Sequence, residues 1–489
     1  MPAAMRIGIL LFLLTAVAGC AIGPDYHRPP IVPPPAWRVE ETEVRNVIDT
    51  EWWRQFQDPV LDDLIVTAIR GNKDLLAATA RVEEVYGQYG AVRAGLFPQI
   101  GYDASAQRQR TTENGFVPIE PGISPVYTTY RPEFTASWEI DIWGRLRRAT
   151  EAARADLLGS EEARQGVVLT VVTSVAAAYI TLRSLDRQLE IAQQTAKSYR
   201  QTLDLFRLSF RHGNISEVEL SQAESQYYGA LASIPLLQKQ IAQQENALSL
   251  LLGHDPGPVP RGKAIDRLNL PSIPAGLPSD LLARRPDIRQ AEQVLISANA
   301  QIGVAKGQYF PSISLTGLLG TSSTELSSLF TGPSQVWSYS GTVAGPIFTG
   351  GRIKNQIRTA EAVKREMVAN YERTIQNGFR DVNDALADQD RTRRRRDALA
   401  NQVGALTTYA RLARLRFDNG YAAYLEVLDA QSRLFVSELS YTQTLGNLFQ
   451  AVINVYKAMG GGWVVKADAM GNGQVSPASG PLDPRPGGR

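Results

Sequence analysis

The amino-acid sequence predicts an α+β membrane protein in which several chains share one β-barrel that long coiled-coil helices continue. Three patterns in the sequence lead to this prediction. The chain contains two copies of one unit, each copy contains a long apolar heptad pattern, and each copy also contains two segments in which apolar and polar residues alternate. A heptad pattern indicates helices that supercoil, whereas strict alternation indicates strands with one apolar face.

The internal repeat has a fixed offset. Phe210 and Phe417 are 207 residues apart, and so are Gly213 and Gly420. The same spacing separates further matching pairs, namely Arg145 and Arg352, Glu219 and Glu426, Ala223 and Ala430, and Gly253 and Gly460. Upstream, LFPQI at 96–100 matches YFPSI at 309–313 with an offset of 213, so the copies differ by a small insertion or deletion. A repeat of this length means that one structural unit is present twice.

The helical part of the first copy is predicted at 145–212 and 217–252, and that of the second copy at 352–419 and 424–459. Apolar residues in these segments recur at alternating intervals of three and four, which keeps one apolar seam along a supercoiled helix. The two longer helices would each extend roughly 100 Å at about 1.5 Å per residue. A tight glycine turn follows each long helix, and Pro235 predicts a local kink in the first returning helix.

The strands are predicted at about 98–110 and 127–142 in the first copy and at about 311–320 and 335–348 in the second. In the string YRPEFTASWEID, residues 130–141, the even positions are Tyr, Pro, Phe, Ala, Trp and Ile, and the odd positions are polar. A tilted strand of about 9–11 residues crosses a bilayer. Four strands are too few for a membrane barrel, which has at least about eight. The sheet is therefore soluble or several chains share one barrel, and the long helices favour the shared barrel.

The two ends of the chain have their own signals. Residues 1–19 combine an early Arg6 with a short apolar run and small residues, which is typical of a secretory signal peptide. Because this run ends at Cys20, the single cysteine, it resembles a bacterial lipobox and implies a covalent lipid on Cys20. A plain signal peptide with a chance cysteine is the alternative. The tail at 464–489 is rich in Gly, Pro and Ser and is predicted to be disordered.

Composition argues against several classes of protein. Lys and Arg number 51 against 49 Asp and Glu, which does not suit a nucleic-acid binder that works through bulk charge. Three histidines and one cysteine leave little for a metal site. The sequence contains neither an H-E-x-x-H string nor a glycine-rich phosphate loop. We therefore expect neither an enzyme nor a cofactor other than the lipid on Cys20.

Four strings resemble the outer membrane factors, the TolC-like tunnel proteins, and fit their lipidated NodT-type branch best. They are GPDYHRP at 23–29, WWRQFQDPVLDDLI at 52–65, LLARRPDIRQAE at 281–292 and YFPSISLTG at 309–317. The resemblance covers residues 20–463 and implies a homotrimer. Each chain would give four strands to one twelve-stranded barrel in the outer membrane, and the helices would form a periplasmic tunnel.

The resemblance also implies a domain order and a function. The order is an extended segment with equatorial helices at 20–95, the first repeat at 96–253, a linker with equatorial helices at 254–308 and the second repeat at 309–463. The function is the passive exit duct of a tripartite efflux or secretion system, with a periplasmic adaptor, an inner-membrane pump and outer membrane lipid as partners. A non-conducting structural or adhesive coiled-coil lipoprotein is the alternative, although a pure scaffold has no need of bilayer-length strands.

In this family the glycine turns would form the periplasmic tip, which closes as an iris and meets the adaptor. The residues implied as adaptor contacts are Arg211, His212, Gly213, Asn214, Asp418, Asn419, Gly420 and Tyr421. The string YLEVLDAQ matches the family's aperture segment and implies Glu426 and Asp429 as gate carboxylates. The repeat makes Glu219 the counterpart of Glu426, whereas Asp429 corresponds to Gln222.

Three-fold symmetry would bring these carboxylates close together at a narrow pore. Rings of carboxylates select or bind cations, and their mutual repulsion raises their pKa. The alternative is that they are solvated acids at helix starts, where a negative charge complements the helix dipole. Some relatives place a basic residue in this turn as a lock, and Ala422 stands at that position here.

Overall fold

The computed structural model describes residues 21–34, 37, 51–114, 122, 124–271 and 281–460. Cys20, the predicted signal peptide and the predicted disordered tail lie outside these residues. The chain divides into two compact units. The first unit consists of Met1–Pro30, Val82–Ser160 and Ala291–Tyr371, and the second of Ile31–Arg81, Glu161–Gln290 and Glu372–Arg489.

The described residues form helices and strands, besides short 3-10 turns. In chain order they are α1 (Pro59–Gly71), α2 (Lys73–Ala94), β1 (Gln99–Arg110), β2 (Val126–Ile140), α3 (Arg145–Arg211), α4 (Glu217–Leu252), α5 (Leu281–Arg284), α6 (Pro286–Gly307), β3 (Ser312–Thr321), β4 (Gln335–Ala344), α7 (Arg352–Asp418) and α8 (Tyr424–Ala458). The helix α4 continues through Pro235, which therefore does not end it.

Two strands end earlier than their alternating patterns predict. The strand β4 ends at Ala344, because Gly345 and Pro346 follow and a proline has no N–H for the strand ladder. The strand β2 ends at Ile140 because the next residue, Asp141, serves the following helix instead. Its carboxylate accepts hydrogen bonds from the backbone N–H groups of Leu146 (3.1 Å) and Arg147 (2.8 Å) in the first turn of α3.

The repeat is visible in the lengths of the elements and in the backbone. The helices α3 and α7 are both 67 residues long, and α2 and α6 are both 22 residues long. Three pairs of glycines with positive φ are 207 residues apart, namely Gly144 and Gly351 (77° and 87°), Gly213 and Gly420 (70° and 77°), and Gly253 and Gly460 (80° and 68°). Other residues rarely adopt this conformation, so both copies turn at the same places for the same steric reason.

The first unit contains an antiparallel sheet with the strand order β1-β2-β3-β4. In the first copy Tyr102 stands opposite Phe134, and in the second copy Leu315 stands opposite Gly341. Leu315 lies 213 residues after Tyr102 and Gly341 lies 207 residues after Phe134, so the offsets read from the sequence hold in the strand register. One face of this sheet is apolar and largely exposed, with Tyr102 83% and Tyr339 82% exposed, as a lipid-facing surface requires.

A strap at residues 21–28 also belongs to the first unit and lies along α3 and α6. Its polar contacts are Ile22 N to Trp143 O (3.0 Å), Arg148 Nη2 to Asp25 Oδ1 (2.7 Å), Asn299 Nδ2 to Pro24 O (2.8 Å), Tyr26 OH to Glu292 Oε1 (3.1 Å) and Arg28 Nε to Glu292 Oε1 (2.6 Å). Glycines allow the close approach. A Cβ atom at Gly303 would lie 2.7 Å from the carbonyl oxygen of Ile22.

The core of the second unit surrounds the 3-10 turn before α1. Trp52 and Tyr456 are both buried and stack with ring centroids 4.8 Å apart. One described helix, α3, contains a stretch that is long and apolar enough to cross a membrane by length and composition alone. Val172, Val175 and other apolar side chains of α3 are buried in this core, so packing accounts for that stretch.

Candidate functional site

The candidate site is the pair of hairpin tips in the second unit, where α3 turns into α4 and α7 turns into α8. Both turns have the same backbone hydrogen bonds. Gly213 N bonds to Phe210 O and Gly420 N bonds to Phe417 O, each at 2.9 Å. One residue further on, Asn214 N bonds to Ser209 O (3.0 Å) and Tyr421 N to Arg416 O (2.8 Å). These are Schellman motifs, which end a helix on a left-handed glycine.

The first tip is closed by a capping box at the start of α4. Glu219 Oε2 accepts hydrogen bonds from Ser216 N (2.8 Å) and from Ser216 Oγ (2.9 Å), and Glu219 N donates to Ser216 Oγ (3.3 Å). The bond from the backbone N–H of Ser216, and then that from its hydroxyl, lowers the pKa of Glu219. Glu219 therefore acts in this chain as a capping carboxylate, which supports the alternative weighed above for this residue.

The second tip has no such box, because Ala423 occupies the capping position of α8 and has no side-chain oxygen. An arginine spans the turn instead. Arg416 Nη1 donates to Glu426 Oε1 (2.8 Å), and Arg416 Nη2 donates to the carbonyl oxygen of Tyr421 (3.3 Å). We call this arrangement of Arg416, Glu426 and the Tyr421 carbonyl the tip latch. The counterpart of Arg416 in the first copy is Ser209, so the first tip has no equivalent arginine.

The remaining gate candidate also has a cationic partner on its own helix. Arg433 Nε donates to Asp429 Oδ1 at 2.9 Å, one helical turn further along α8. Arg433 corresponds to Gln226 in the first copy, as Asp429 corresponds to Gln222. These two ion pairs therefore have no counterpart in the first tip, where Arg207 and Glu224 form a different ion pair (2.8 Å). Within the described residues, no hydrogen bond or ion pair joins Glu219, Glu426 and Asp429 to one another.

An apolar cluster holds the two tips together beneath these charges. Tyr424 is its centre, with ring centroids 4.2 Å from Phe206 and 5.0 Å from Phe417. Burial raises the pKa of Tyr424. The buried members of the cluster are Leu203, Phe206, Ala223, Ala413, Tyr424, Val427, Leu428 and Ala430. The first turn of α8 is therefore packed against the ends of both long helices, α3 and α7. Glu426 stays near the surface with 27% of its side chain exposed.

The eight residues predicted as adaptor contacts are all exposed. Apolar side chains beside them are exposed as well, with Tyr421 at 78% and Val218 at 65%. The sequence analysis missed Arg416, Arg433 and Tyr424. Comparison of the two copies position by position would have found the arginines, because each replaces an uncharged residue of the first copy.

Comparisons with known proteins agree with this architecture. A family model described as "Outer membrane efflux protein" matches residues 64–254 and 277–461, more than half of the chain. The toluene efflux pump outer membrane protein TtgF of Pseudomonas putida is 36% identical over 463 residues, which cover 92% of this chain and 96% of TtgF. The cation efflux system protein CusC of Escherichia coli O157:H7 is 34% identical over 459 residues, which cover 92% of this chain and 97% of CusC.

The structural likeness is equally extensive. The open state of the MtrE outer membrane channel of Neisseria gonorrhoeae has a TM-score of 0.82 at 31% identity, over 91% of this chain and 99% of that one. These likenesses confirm the fold class predicted from the sequence, a homotrimeric twelve-stranded barrel with four strands per chain, continued by a helical tunnel. The chain therefore belongs to the outer membrane efflux protein family, and it is a channel of the outer membrane.

Proposed function

We propose that the chain is the exit duct of a tripartite system, through which an inner-membrane pump and a periplasmic adaptor pass substrates across the outer membrane. The observation that carries this proposal is the sheet of the first unit, whose strands are 10 to 15 residues long and share one exposed apolar face. One chain cannot close such a sheet in lipid, whereas three chains supply twelve strands. In this proposal the inner-membrane pump supplies the energy for transport.

Single-channel recording in planar lipid bilayers tests this proposal. We expect purified trimers to insert and to conduct in discrete steps. Trimers that insert correctly and never conduct, including those with substitutions at the tip latch, would favour the non-conducting scaffold instead. A cargo does not follow from the relatives, since TtgF is named for toluene and CusC for cations.

We further propose that Cys20 carries a covalent lipid. The residue after it, Ala21, lies against the turn between β2 and α3, since a Cβ atom at Gly144 would lie 2.7 Å from the Cα atom of Ala21. This turn is where the apolar sheet ends and the first long helix begins, which is a suitable level for a lipid anchor. Mass spectrometry of the mature N-terminal peptide should find a lipid that Cys20→Ser removes, and an unmodified Cys20 would contradict the proposal.

We also propose that the second tip is the movable part of a periplasmic gate, with Glu426 and Asp429 as its carboxylates. Three contrasts between the tips support this role. The second tip has no side-chain cap, its turn depends on an exposed arginine, and its carboxylates are held by side chains rather than by backbone N–H groups. Exposed ion pairs of this kind stabilise by only about 0–1 kcal/mol, so adaptor binding could release them at low cost. Glu219 belongs to the more firmly capped tip.

A further inference from the structure

A cavity of about 370 Å³ lies in the first unit, where the sheet meets the long helices. Its lining includes the ends of β2 and β4, the segment between α6 and β3, and the first residues of α3 and α7. The charged side chains that the structure describes in this lining are Glu139, Asp141, Arg145 and Arg352. The way in which these charges are paired decides what the cavity can bind.

The cavity lies on the polar face of the sheet. Glu139 stands opposite Ser314 on β3, and Ser314 stands opposite Thr342 on β4. Because side chains alternate along a strand, Trp138 belongs to the other, apolar face. A transmembrane barrel turns its apolar face towards lipid and its polar face towards the lumen. Glu139 therefore faces the lumen, and the cavity that it lines belongs to the lumen side.

The charges of the first copy are balanced. Arg145 Nη2 donates to both carboxylate oxygens of Glu139, at 2.7 and 2.8 Å. Asp141 accepts from the backbone N–H of Arg147 (2.8 Å) and from Arg147 Nε (3.4 Å). Each of these carboxylates therefore has an arginine of its own, and the first copy adds no net charge to the cavity.

The second copy keeps the arginine but not the carboxylates. Arg352 lies 207 residues after Arg145. The residue 207 positions after Glu139 is Pro346, which also lines the cavity. The position that corresponds to the other carboxylate holds Phe348. Both acids of the first copy are thus replaced by residues that cannot neutralise an arginine.

Arg352 has only neutral hydrogen-bond partners among the described residues. Its Nη1 atom donates to Gln308 Oε1 (3.4 Å) and to Gln356 Oε1 (3.3 Å). Both distances are longer than those of most N–H···O bonds, which reach about 3.2 Å. A guanidinium group has five N–H donors in a planar fork, and the Arg352 side chain is exposed. Arg352 therefore has donors and a positive charge to offer to a ligand in the lumen.

The adjoining part of a neighbouring copy does not contain the missing acid either. In the closed barrel, the start of β1 of one chain lies beside the end of β4 of another. Residues 85–102, which lead into β1 and begin it, include Arg93 but neither Asp nor Glu. Three Arg352 side chains around the axis consequently form a positive level inside the trimer.

We propose that Arg352, with the side-chain amide of Gln308, binds the oxyanion group of a solute in the lumen where the barrel meets the helical tunnel. A sulfate, phosphate or carboxylate group suits this site, because its oxygens match the planar N–H fork of arginine. Rings of arginine are a known device for anion selection in pores. The proposal rests on the proposed duct and adds to it a level of opposite charge to the carboxylates of the second tip.

Block of single channels by sulfate tests the site. Trimers conduct potassium chloride in planar bilayers, and sulfate is added on the side of the barrel. We expect sulfate to reduce the current of open channels, and Arg352→Gln to raise the half-blocking concentration several-fold. Arg352→Lys keeps the charge but not the fork, so its effect should be smaller. The matched control is Arg358→Gln, which removes a positive charge of α7 outside the cavity and should leave the block unchanged.

The repeat supplies a second pair of variants with opposite effects. Pro346→Glu places a carboxylate at the position that corresponds to Glu139, so Arg352 should be neutralised and the block weakened several-fold. Pro346→Gln is its uncharged control and should block as the unsubstituted channel does. Glu139→Gln releases Arg145 from its carboxylate and should lower the half-blocking concentration of sulfate.

Benzenesulfonate distinguishes the two sources of an oxyanion. Block by benzenesulfonate that depends on Arg352 extends the site to organic solutes, whereas Arg352-dependent block by sulfate alone supports a site for inorganic anions. An unchanged sulfate block in Arg352→Gln overturns the proposal, and equal effects of Pro346→Glu and Pro346→Gln overturn its electrostatic basis. Unsubstituted trimers that insert and never conduct contradict the proposed duct instead.

Discussion

At the scale of single residues, the two tips have similar backbone turns, but different groups hold the carboxylate in each. Glu219 accepts hydrogen bonds from Ser216 within one helix turn, whereas Glu426 is held by Arg416 from across the loop. The first arrangement is local and follows from the spacing Ser-x-x-Glu. The second joins residues ten positions apart, and it exists only if the turn has folded first. The carboxylates that the repeat aligns therefore differ in what keeps them in place.

Removal of the tip latch should favour the open channel. The substitution Arg416→Ala removes the guanidinium group that donates to Glu426 and to the Tyr421 carbonyl, so the turn before α8 is less restrained. An exposed ion pair of up to about 1 kcal/mol corresponds to at most a five-fold change in the ratio of open to closed channels. Single-channel recording measures this ratio. The matched control is Arg414→Ala, which removes an ion pair with Asp418 on the same helix (3.0 Å) and should leave the ratio unchanged.

The first tip should lose its cap only in acid. Folding lowers the pKa of Glu219. The cap therefore stabilises α4 fully at a pH above the pKa of an unfolded glutamate, about 4.3, and this stabilisation is lost as the pH falls through the lowered pKa. Hydrogen exchange at the start of α4, corrected for the intrinsic rate, should therefore show constant protection at neutral pH and a loss only below about pH 4. Glu219→Gln keeps a capping side chain and should remove the pH dependence. A loss of protection near neutral pH would contradict this assignment.

At the scale of elements, the sequence predicts the helices better than the side-chain contacts between them. The starts of α3 and α7 agree with the prediction, because period and glycine turns are local properties of the chain. The early end of β4 depends on Pro346, which interrupts an otherwise regular alternation. The tip latch was not predicted, because the contact of Arg416 with Glu426 depends on the geometry of the turn. The local kink expected at Pro235 stays a prediction, because α4 continues through this residue.

A single substitution should give the second tip the cap of the first. Ala423→Ser introduces a hydroxyl at the capping position of α8, where Glu426 already stands three residues later as Glu219 does after Ser216. A serine cap in place of alanine stabilises a helix start by about 1 kcal/mol. We expect slower hydrogen exchange in the first turn of α8 and fewer channel openings. The reciprocal variant Ser216→Ala should accelerate hydrogen exchange at the start of α4. Exchange rates equal to those of the unsubstituted protein in both variants would argue against the contrast between the tips.

The strap should depend on a glycine in α6. In Gly303→Ala the new methyl group would lie 2.7 Å from both Ile22 O and Arg148 Cγ, so the strap must move. Overpacking of this kind costs about 1–3 kcal/mol, which thermal unfolding and limited proteolysis of the strap should detect. The matched control is the counterpart Gly90→Ala, because a Cβ atom there meets nothing within 4 Å in the described part of the chain. Equal effects of both substitutions would show that the strap contact is unimportant.

At the scale of the whole molecule, the exposed strand edges and the proposed gate are both completed by other copies of the chain. Within the part of the chain that the structure describes, the sheet is open at both edges. The carboxylates of the second tip each have a cationic partner within the chain, so any ring of like charges arises only when three tips meet around the axis. The barrel could be predicted from the sequence because strand length and alternation are local, whereas the gate depends on distances between chains.

Neutral substitution of the gate carboxylates should reduce the preference for cations. In Glu426→Gln/Asp429→Asn the trimer loses both proposed rings at its entrance, and carboxylate rings favour cations in narrow pores. The reversal potential in a potassium chloride gradient should therefore shift towards that of a non-selective pore. Glu219→Gln is the matched control, since it removes a carboxylate from the other tip. If Glu219→Gln produces the same shift, the gate is not confined to the second tip.

The fused repeat has a consequence for any ring-shaped partner that docks on the tips. A trimer presents six hairpin ends, and these alternate around the axis between ends with a serine cap and ends with an arginine latch. Six identical subunits seated on such a surface cannot all have the same surroundings. They would occupy two classes of position, so that a substitution at Arg416 would weaken every second contact and leave those between intact.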